Sequence, residues 1–287
     1  MARIAFLGLG VMGAPMAGHL AAAGHELVVY NRSPAKAEAW VARHGGGRAG
    51  SAAAAADGAD AVIACVGADR DLEQVTLGGD GAFAAMAAGA LFVDHTTVSA
   101  RLARRLAEEG ERRGLLCVDA PVSGGQAGAE KGALSVMCGG GAAAVAAARP
   151  LIEAYAARIV HVGPAGHGQL TKMVNQICIA GVVQGLAEAV HFTKRAGLDP
   201  QLVHDAISGG AAQSWQMDNR WATMIEGKFD FGFAVDWMRK DLGLVLDEAQ
   251  RNGARLPVTA LVDQFYADIQ AMGGRRWDTS SLIKRLK

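Results

Sequence analysis

Lys172, Asn175 and Gln176 have the side-chain types and the spacing for proton transfer to a polar small molecule. They lie at positions i, i+3 and i+4 of a predicted helix and therefore share one of its faces. A lysine ammonium can donate a proton, its amine can take one back, and carboxamides can hydrogen-bond a bound molecule. A lone helical lysine is usually a solvated surface charge, and spacing alone favours that interpretation. The two amides on the same face favour a chemical role.

A glycine motif near the N-terminus predicts a dinucleotide-binding site. G-x-G-x-x-G stands directly after a predicted strand, Ile4 to Leu7, and directly before a predicted helix, Pro15 to Ala23. The first glycine permits a tight turn, the second lets the backbone approach a pyrophosphate, and the third lets the helix pack closely on the strand. The N–H groups at the start of the helix attract phosphate. A glycine-rich turn without a ligand is the alternative, but the strand-turn-helix context favours binding by Gly8, Leu9, Gly10, Val11, Met12 and Gly13.

The end of the second predicted strand, Glu26 to Tyr30, indicates which dinucleotide is bound. NAD sites carry an acidic residue there that accepts hydrogen bonds from the ribose hydroxyls. Asn31, Arg32 and Ser33 stand at this place instead. No carboxylate repels a 2'-phosphate, and a guanidinium can bind one with two parallel hydrogen bonds. The sequence therefore predicts a preference for NADP(H) and leaves NAD(H) open; the alternative is that Arg32 is a solvated side chain in a turn.

The elements around these residues predict two domains of different class. In the first, buried strands alternate with alanine-rich helical stretches, as in a doubly wound, mainly parallel sheet with helices on both faces. Beyond Val162 the chain shows glycine punctuation and then only helical patterns. We expect an α/β fold: a Rossmann-like dinucleotide-binding domain over residues 1–163 and an all-α substrate and oligomerisation domain over 164–287, joined by a long helix. The further predicted strands are Ala61 to Val66, Ala90 to Asp94, Leu115 to Val118, Leu134 to Cys138 and Arg158 to Val162; the further predicted helices are Gln169 to Ala196, Pro200 to Ile207, Asn219 to Glu226, Val235 to Asn252 and Pro257 to Met272.

Composition argues against several classes of partner. Twenty-eight basic side chains balance 28 acidic ones, and no run of Lys or Arg resembles a nucleic-acid-binding surface. The four cysteines stand far apart, which argues against a zinc site and a disulfide framework, and His95 and His191 form no metal triad. No stretch reaches the about 18 uninterrupted apolar residues of a membrane span. We expect a soluble, cytoplasmic protein with no metal, nucleic-acid or membrane partner.

The helical domain contains three tryptophans that we expect mostly in its core, Trp215, Trp221 and Trp237. For Trp215 the alternative is a place in the acyl pocket of the substrate.

Four segments together resemble the β-hydroxyacid dehydrogenase family, which includes 3-hydroxyisobutyrate dehydrogenase, tartronate semialdehyde reductase and the glyoxylate/succinic semialdehyde reductases. The resemblance spans nearly the whole chain, in the family's order and at its approximate spacing. The segments are Gly8 to Ala17, Asp119 to Gly125, Gly166 to Gln176 and Lys240 to Leu244.

The resemblance implies substrate and proton-transfer roles. Lys172 is then the catalytic residue, which donates a proton as hydride arrives and takes it back in the reverse direction. Ser123-Gly124-Gly125, which follows a predicted strand, would bind the substrate carboxylate; an ordinary glycine turn is the alternative. Asn175 and Gln176 would contact the substrate. Many relatives carry asparagine at both positions, so Gln176 changes the reach of the second amide.

The resemblance also implies further cofactor contacts. Thr97 falls where family members carry a Ser or Thr near the nicotinamide. Val66-Gly67 falls where many relatives have Leu-Pro, and the glycine departs from that pattern. Lys240 matches a lysine that contacts cofactor or substrate, although a surface lysine paired with Asp236 or Asp241 is an equal alternative.

Together these features predict an oxidoreductase that transfers a hydride between NADP(H), or NAD(H), and a small β-hydroxy acid or its semialdehyde. The resemblance further implies a homodimer or homotetramer. A non-catalytic dinucleotide-binding sensor or scaffold is the alternative of another class, but it needs no proton donor such as Lys172. Imine reductases share the architecture and usually carry another residue at that place, and 6-phosphogluconate dehydrogenase has a much longer chain. The substrate stays a class, because substituents on a short acid differ by only a few contacts.

Overall fold

The computed structural model describes residues 1–286, and the chain divides into two compact units, Met1–Lys172 and Met173–Lys287. Unit 1 contains nine strands and seven α-helices among these residues. The strands are β1 Arg3–Leu7, β2 Glu26–Tyr30, β3 Gly47–Arg48, β4 Ala61–Ala64, β5 Leu91–Asp94, β6 Leu116–Asp119, β7 Val122–Ser123, β8 Leu134–Gly140 and β9 Ala156–Gly163. The helices are α1 Gly13–Ala22, α2 Pro34–His44, α3 Ala52–Ala56, α4 Asp69–Leu77, α5 Ala100–Arg112, α6 Gly125–Glu130 and α7 Ala142–Ile152.

The strands form one sheet whose order is β3-β2-β1-β4-β5-β6-β8-β7, with β9 paired to β8. From β3 to β6 all neighbours are parallel, and β8 then runs antiparallel to β6. The strand order reverses between β1 and β4, and α/β sheets of this kind bind ligands at the carboxyl ends of the strands at such a point. The predicted fold class, a doubly wound sheet followed by a helical domain, is confirmed.

Both faces of the sheet are buried, which explains why its strands are apolar throughout. Ile4 and Phe6 belong to the core on one face, whereas Ala5 and Leu7 belong to the core on the other. Successive side chains of a strand point to opposite faces, so a strand covered on both sides needs an unbroken apolar run. The two-residue strands β3 and β7 have no such run, and the sequence did not predict them.

Unit 2 is helical. It contains most of α8 His167–Arg195, followed by α9 Pro200–Ile207, α10 Trp215–Glu226, α11 Val235–Asn252, α12 Pro257–Ala271 and a 3-10 helix Thr279–Arg285. Its core includes Tyr266 and Trp221, which is 3% exposed. The core interpretation is wrong for Trp215 and Trp237, which are 51% and 38% exposed. The predicted helix start at Asn219 is also late, because Ser214 accepts a hydrogen bond from the backbone of Met217 and begins α10 at Trp215.

Helix α8 is long and apolar enough to cross a membrane by length and composition alone. The core helix of a soluble protein passes the same test. Three polar residues of α8, Gln169, Lys172 and Gln176, are buried and have hydrogen-bond partners within the protein.

Candidate active site

The glycine motif forms the turn between β1 and α1. Gly8 has a φ of +102°, and a Cβ there would overlap the carbonyl of Cys65. A Cβ at Gly13 would overlap the carbonyl of Gly8. At Gly10, by contrast, a Cβ would meet no atom within 4 Å. The first and third glycines are thus required by the protein's own packing, and the second leaves open space beside the turn.

The turn and the start of α1 suit a pyrophosphate. No acidic residue lies in the first turn of α1, so the partial positive charge of the helix N-terminus is not neutralised there. Val11, in the middle of the turn, is 60% exposed. The residues that are present therefore fit the phosphates of a nicotinamide dinucleotide.

Asn31, Arg32 and Ser33 lie directly after β2, as predicted, but they differ in how they are held. The Asn31 carboxamide accepts a hydrogen bond from Leu9 N at 2.9 Å and donates to Ser33 O at 3.1 Å, so it ties the glycine turn to this loop. The side chain of Arg32 is 87% exposed, and its Nη1 lies 3.0 Å from Asp71 Oδ1 on α4. Ser33 begins α2 and makes no side-chain cap.

A second loop follows β5 and contacts the loop after β4. Thr96 N donates to Asp94 Oδ1 at 2.9 Å, and the Thr96 hydroxyl accepts from Val66 N at 3.0 Å. Thr97 is half-buried beside them, and Gly67 is half-buried in the loop after β4. Thr96 was not predicted as a site residue; its place beside Thr97 was the only signal in the sequence.

Lys172 lies beside the predicted substrate loop. It is 9% exposed, and its Nζ donates to Val122 O at 2.9 Å. Ser123 follows in β7, and Gly124 and Gly125 have φ values of +131° and +60° that favour glycine. Lys172 is therefore not a solvated surface charge. The structure brings its ammonium to the loop that holds Ser123.

Asp119, at the end of β6, holds the start of α8 and was not predicted to have a role. Its Oδ1 accepts from Gly166 N at 2.7 Å, and its Oδ2 accepts from Gln169 N at 3.0 Å. Burial raises the pKa of Asp119 to about 6, against the opposing effect of these hydrogen bonds. A carboxylate at a helix N-terminus satisfies N–H groups that have no partner within the helix. Asp119 thereby fixes the helical turn that precedes Lys172.

Asp94 and His95 are buried at the same edge of the sheet. Burial raises the pKa of Asp94 to about 8. The charge of Asp119, the residue opposite Asp94 in the register of β5 and β6, also raises this pKa. His95 Nδ1 lies 2.6 Å from Ala120 O, and its Nε2 lies 2.8 Å from the Tyr155 hydroxyl. Burial lowers the pKa of His95 to about 4. A neutral ring with its hydrogen on Nδ1 donates to Ala120 and accepts from Tyr155.

In unit 2 a chain of polar contacts joins the two amides of α8 to α11. Asn175 Nδ2 donates to Gln176 Oε1 at 2.8 Å, and Gln176 Nε2 donates to Asp241 Oδ2 at 2.6 Å. Lys240 Nζ lies 2.9 Å from Asp241 Oδ1, so the expected aspartate partner is Asp241 and not Asp236. Gln176 and Asp241 are each 2% exposed. The contact of Asp241 with Gln176 was not predicted, since nothing in the sequence pairs the two residues.

The predicted residues thus fall into two groups. In unit 1, the glycine turn and the Thr97 loop lie at the carboxyl ends of the parallel strands β1 and β5. Lys172 contacts β7, the short strand antiparallel to β8 that contains Ser123. In unit 2, Asn175, Gln176 and Lys240 share one hydrogen-bonded cluster. Among residues 1–286, no group of three His, Cys, Asp or Glu side chains could hold a metal ion.

Comparison with known proteins finds matches for both parts of the chain. A family model described as the NAD-binding domain of 6-phosphogluconate dehydrogenase matches residues 3–163. A second, described as NAD-binding of NADP-dependent 3-hydroxyisobutyrate dehydrogenase, matches residues 166–286. An uncharacterized oxidoreductase of Shewanella frigidimarina is 61% identical over 287 residues, which are 100% of this chain and 99% of the relative. The 2-hydroxy-3-oxopropionate reductase of Escherichia coli is 35% identical and covers 99% of this chain and 97% of its own.

The solved structure of Mycobacterium tuberculosis 3-hydroxyisobutyrate dehydrogenase with L-serine has a TM-score of 0.90, at 34% identity, and the match covers 100% of this chain and 99% of that one. The chain belongs to the β-hydroxyacid dehydrogenase family. As a β-hydroxyacid dehydrogenase it is an NAD(P)-dependent oxidoreductase, and the resemblance on the four sequence segments is confirmed.

Proposed function

We propose that this β-hydroxyacid dehydrogenase transfers a hydride between NADP(H) and a short β-hydroxy acid or its semialdehyde, with Lys172 as general acid and base. The observation that carries the proposal is the buried Lys172 ammonium, held 2.9 Å from Val122 O next to Ser123. A buried ionisable side chain at such a place is a candidate for a catalytic role, whereas a lysine on the surface usually is not. A nicotinamide bound at this edge supplies or accepts the hydride.

Lys172 moves the proton in this scheme. In reduction its ammonium donates a proton to the carbonyl oxygen of the semialdehyde, and in oxidation its amine accepts the hydroxyl proton. The hydrogen bond to Val122 O fixes the position of the Lys172 Nζ atom beside Ser123. A fixed donor avoids reorganisation when the proton moves.

The substrate carboxylate is bound by the Ser123 loop in this proposal. The Ser123 hydroxyl and the backbone of Gly124 and Gly125 offer donors without side-chain bulk, and Gly124 and Gly125 are exposed. Asn175, one turn after Lys172 on α8, is a further substrate contact. Gln176 donates to Asp241 and accepts from Asn175, so its part is to orient Asn175. We also propose that Val66-Gly67, Thr97 and Lys240 contact the cofactor.

Replacing Lys172 tests the role. Lys172→Ala is expected to lower kcat by about 10²- to 10⁴-fold, the usual contribution of a positioned acid and base, while NADPH binding by fluorescence is retained. Activity is measured as NADPH consumption with glyoxylate, succinic semialdehyde, tartronate semialdehyde and methylmalonate semialdehyde, and in reverse with the matching acids. The exposed Lys131→Ala is the control. Near-normal turnover in Lys172→Ala would contradict the proposal and favour a sensor, a scaffold or another proton donor.

The NADP(H) preference rests on Arg32. Arg32→Ala should lower kcat/KM with NADPH by about tenfold or more and leave the value with NADH nearly unchanged. Asp71→Asn should act in the opposite direction, by about threefold, because it frees Nη1 of Arg32 and removes a negative charge near the 2'-phosphate. Glu73→Gln is the matched control, since Glu73 lies on the same helix and pairs with Arg105. A higher wild-type kcat/KM with NADH than with NADPH would refute the preference.

We propose that residues 1–163 bind the dinucleotide, that 164–287 supply substrate and subunit contacts, and that the protein is a cytoplasmic homodimer or homotetramer. Val174, Cys178 and Val182 are exposed at i, i+4 and i+8 on α8, which favours burial against a second copy. Light scattering should show a dimer or tetramer, and Val174→Asp with Val182→Asp should give a smaller species; a monomeric wild type would contradict this.

A further inference from the structure

Gln169 is a buried glutamine that uses both ends of its carboxamide on one loop. It is completely buried, three residues before Lys172 on α8. Its Oε1 accepts from Val98 N at 3.1 Å, and its Nε2 donates to Thr96 O at 2.7 Å. Both partners are more than 70 residues away in sequence, and they flank Thr97.

The two hydrogen bonds imitate the pairing of a neighbouring strand. Beyond Asp94 the chain has left β5, so the groups at Thr96 and Val98 have no strand partner. Buried backbone groups need a partner, and the oxygen and the NH2 group of a carboxamide can pair with the N–H and C=O of alternate residues of an extended chain. Gln169 therefore satisfies the loop and fixes its distance from α8 in one contact.

The backbone of Gln169 is fixed as well. Its N–H donates to Asp119 Oδ2, and Asp119 also holds Gly166, so the first turn of α8 is fastened to β6. Lys172 lies at i+3 from Gln169, on the same helix face, and is held by Val122. One helical turn thus links the Thr97 loop, the end of β6 and the Lys172 ammonium.

We propose that Gln169 is a positioning residue that sets the Thr97 loop against the turn of α8 carrying Lys172. The proposal rests on the function proposed above for Lys172 and Thr97. In this proposal Gln169 touches no reacting atom. Its carboxamide sets the position of the Thr97 loop relative to the Lys172 ammonium. A displacement of about 1 Å, caused by a residue that does not touch the reacting atoms, can lower turnover by about 100-fold.

Two variants separate the proposed role from mere packing. Gln169→Met has a similar volume and loses both hydrogen bonds. Gln169→Glu keeps the acceptor for Val98 at every pH, but it can donate to Thr96 O only when the introduced carboxyl is protonated. Charged side chains on the segments around it are Asp119, Asp94, Asp69, Arg104 and Lys172. Burial and the aspartates favour the protonated form of the introduced carboxyl, whereas Arg104 and Lys172 disfavour it.

Kinetics give the first test. Gln169→Met is expected to lower kcat by about 10- to 100-fold and to weaken NADPH binding far less, because the glycine turn and Arg32 are untouched and only the Thr97 contact moves. The kcat of Gln169→Glu relative to wild type should rise as the pH falls from about 8 to about 5.5, and that of Gln169→Met should stay flat. Gln184→Met is the matched control, because Gln184 is a buried glutamine of the same helix whose side chain donates to Glu188, one turn on, and to no other of the residues that the structure describes. Normal kcat in Gln169→Met, or a flat ratio for Gln169→Glu, overturns the proposal.

Hydrogen exchange gives a test that does not depend on turnover. The Val98 amide should exchange much faster in Gln169→Met than in wild type, and Gln184→Met should leave it protected. Equal protection of Val98 in Gln169→Met overturns the proposal even if activity falls. If the wild type turns over none of the substrates but the Val98 amide is deprotected in Gln169→Met, the proposed function is refuted. The contact between Gln169 and the Thr97 loop is then retained. If Gln169→Glu fails to fold, the uncharged Gln169→Met supplies both readouts.

Discussion

Asp94 should give the protein a pH-dependent stability that asparagine at this position removes. Its carboxyl is 2% exposed, and Oδ2 has no hydrogen-bond partner among the described residues. Burial raises its pKa from 3.8 to about 8, so the folded protein keeps a proton that the unfolded chain releases. The resulting stability is fully present below about pH 4 and is lost as the pH rises toward about 8. Each pH unit between the two pKa values is worth about 1.4 kcal/mol, so the loss between about pH 4 and pH 7 is about 4 kcal/mol.

Urea unfolding of wild type and Asp94→Asn over this pH range measures the effect. Asparagine keeps the acceptor for Thr96 N and carries no charge, so the other titrating groups largely cancel in the difference between the two proteins. That difference should shift by about 4 kcal/mol in favour of Asp94→Asn as the pH rises from about 4 to about 7. The exposed Asp80→Asn serves as the control and should show a constant difference. A constant difference for Asp94→Asn as well would refute the reasoning, since the carboxyl would then ionise as readily as in the unfolded chain.

Three further predictions concern other residues. Burial lowers the pKa of His95 to about 4, so its ring stays neutral in the folded protein while the unfolded chain takes up a proton. The free energy of unfolding should therefore fall by about 3 kcal/mol as the pH drops from about 6.5 to about 4. His95→Gln should remove this pH dependence in urea unfolding, and an unchanged dependence would contradict the prediction. Asp278 is 1% exposed, and its Oδ1 lies 3.0 Å from Arg220 Nε in a buried ion pair. Asp278→Ala should lower the unfolding free energy of unit 2 by about 3 to 5 kcal/mol in calorimetry. A loss below about 1 kcal/mol would show that the ion pair contributes little to stability. Gly10→Ala should leave the melting temperature unchanged and weaken NADPH binding about tenfold or more in titrations, whereas Gly13→Ala should lower the melting temperature itself; equal effects of the two variants would mean that Gly10 does not face the cofactor.

Much of the fold follows from the sequence. Strand β2 and helices α9 and α11 have the predicted bounds, because each is an apolar pattern ended by a strong signal. Pro200 follows the capping Asp199 at the start of α9, and Gly253 ends α11 in a left-handed conformation. The sequence missed the two-residue strands because their pairing depends on neighbours and not on a local run.

The site was predictable in part. The glycine turn and Lys172 could be found from motif and spacing, since each is local. The contacts of Asp119, Gln169 and Asp241 could not, because they depend on which strand ends and helices lie together. Gln169 had one usable signal: it stands at i−3 from Lys172, on the helix face already singled out.

The sequence separations of these contacts also fix when Lys172 takes its place during folding. Asp119 binds residues 47 and 50 positions later in the chain, and Gln169 binds residues 71 and 73 positions earlier. Contacts over such separations form only after long loops have closed, and the strands β5 and β6 must be paired before α8 has anything to bind. We therefore expect refolding chains to regain their sheet before their activity. Lys172 reaches Val122 O only after the start of α8 has bound to the ends of β5 and β6, so a chain in which the sheet alone has folded contains the glycine turn without a positioned Lys172.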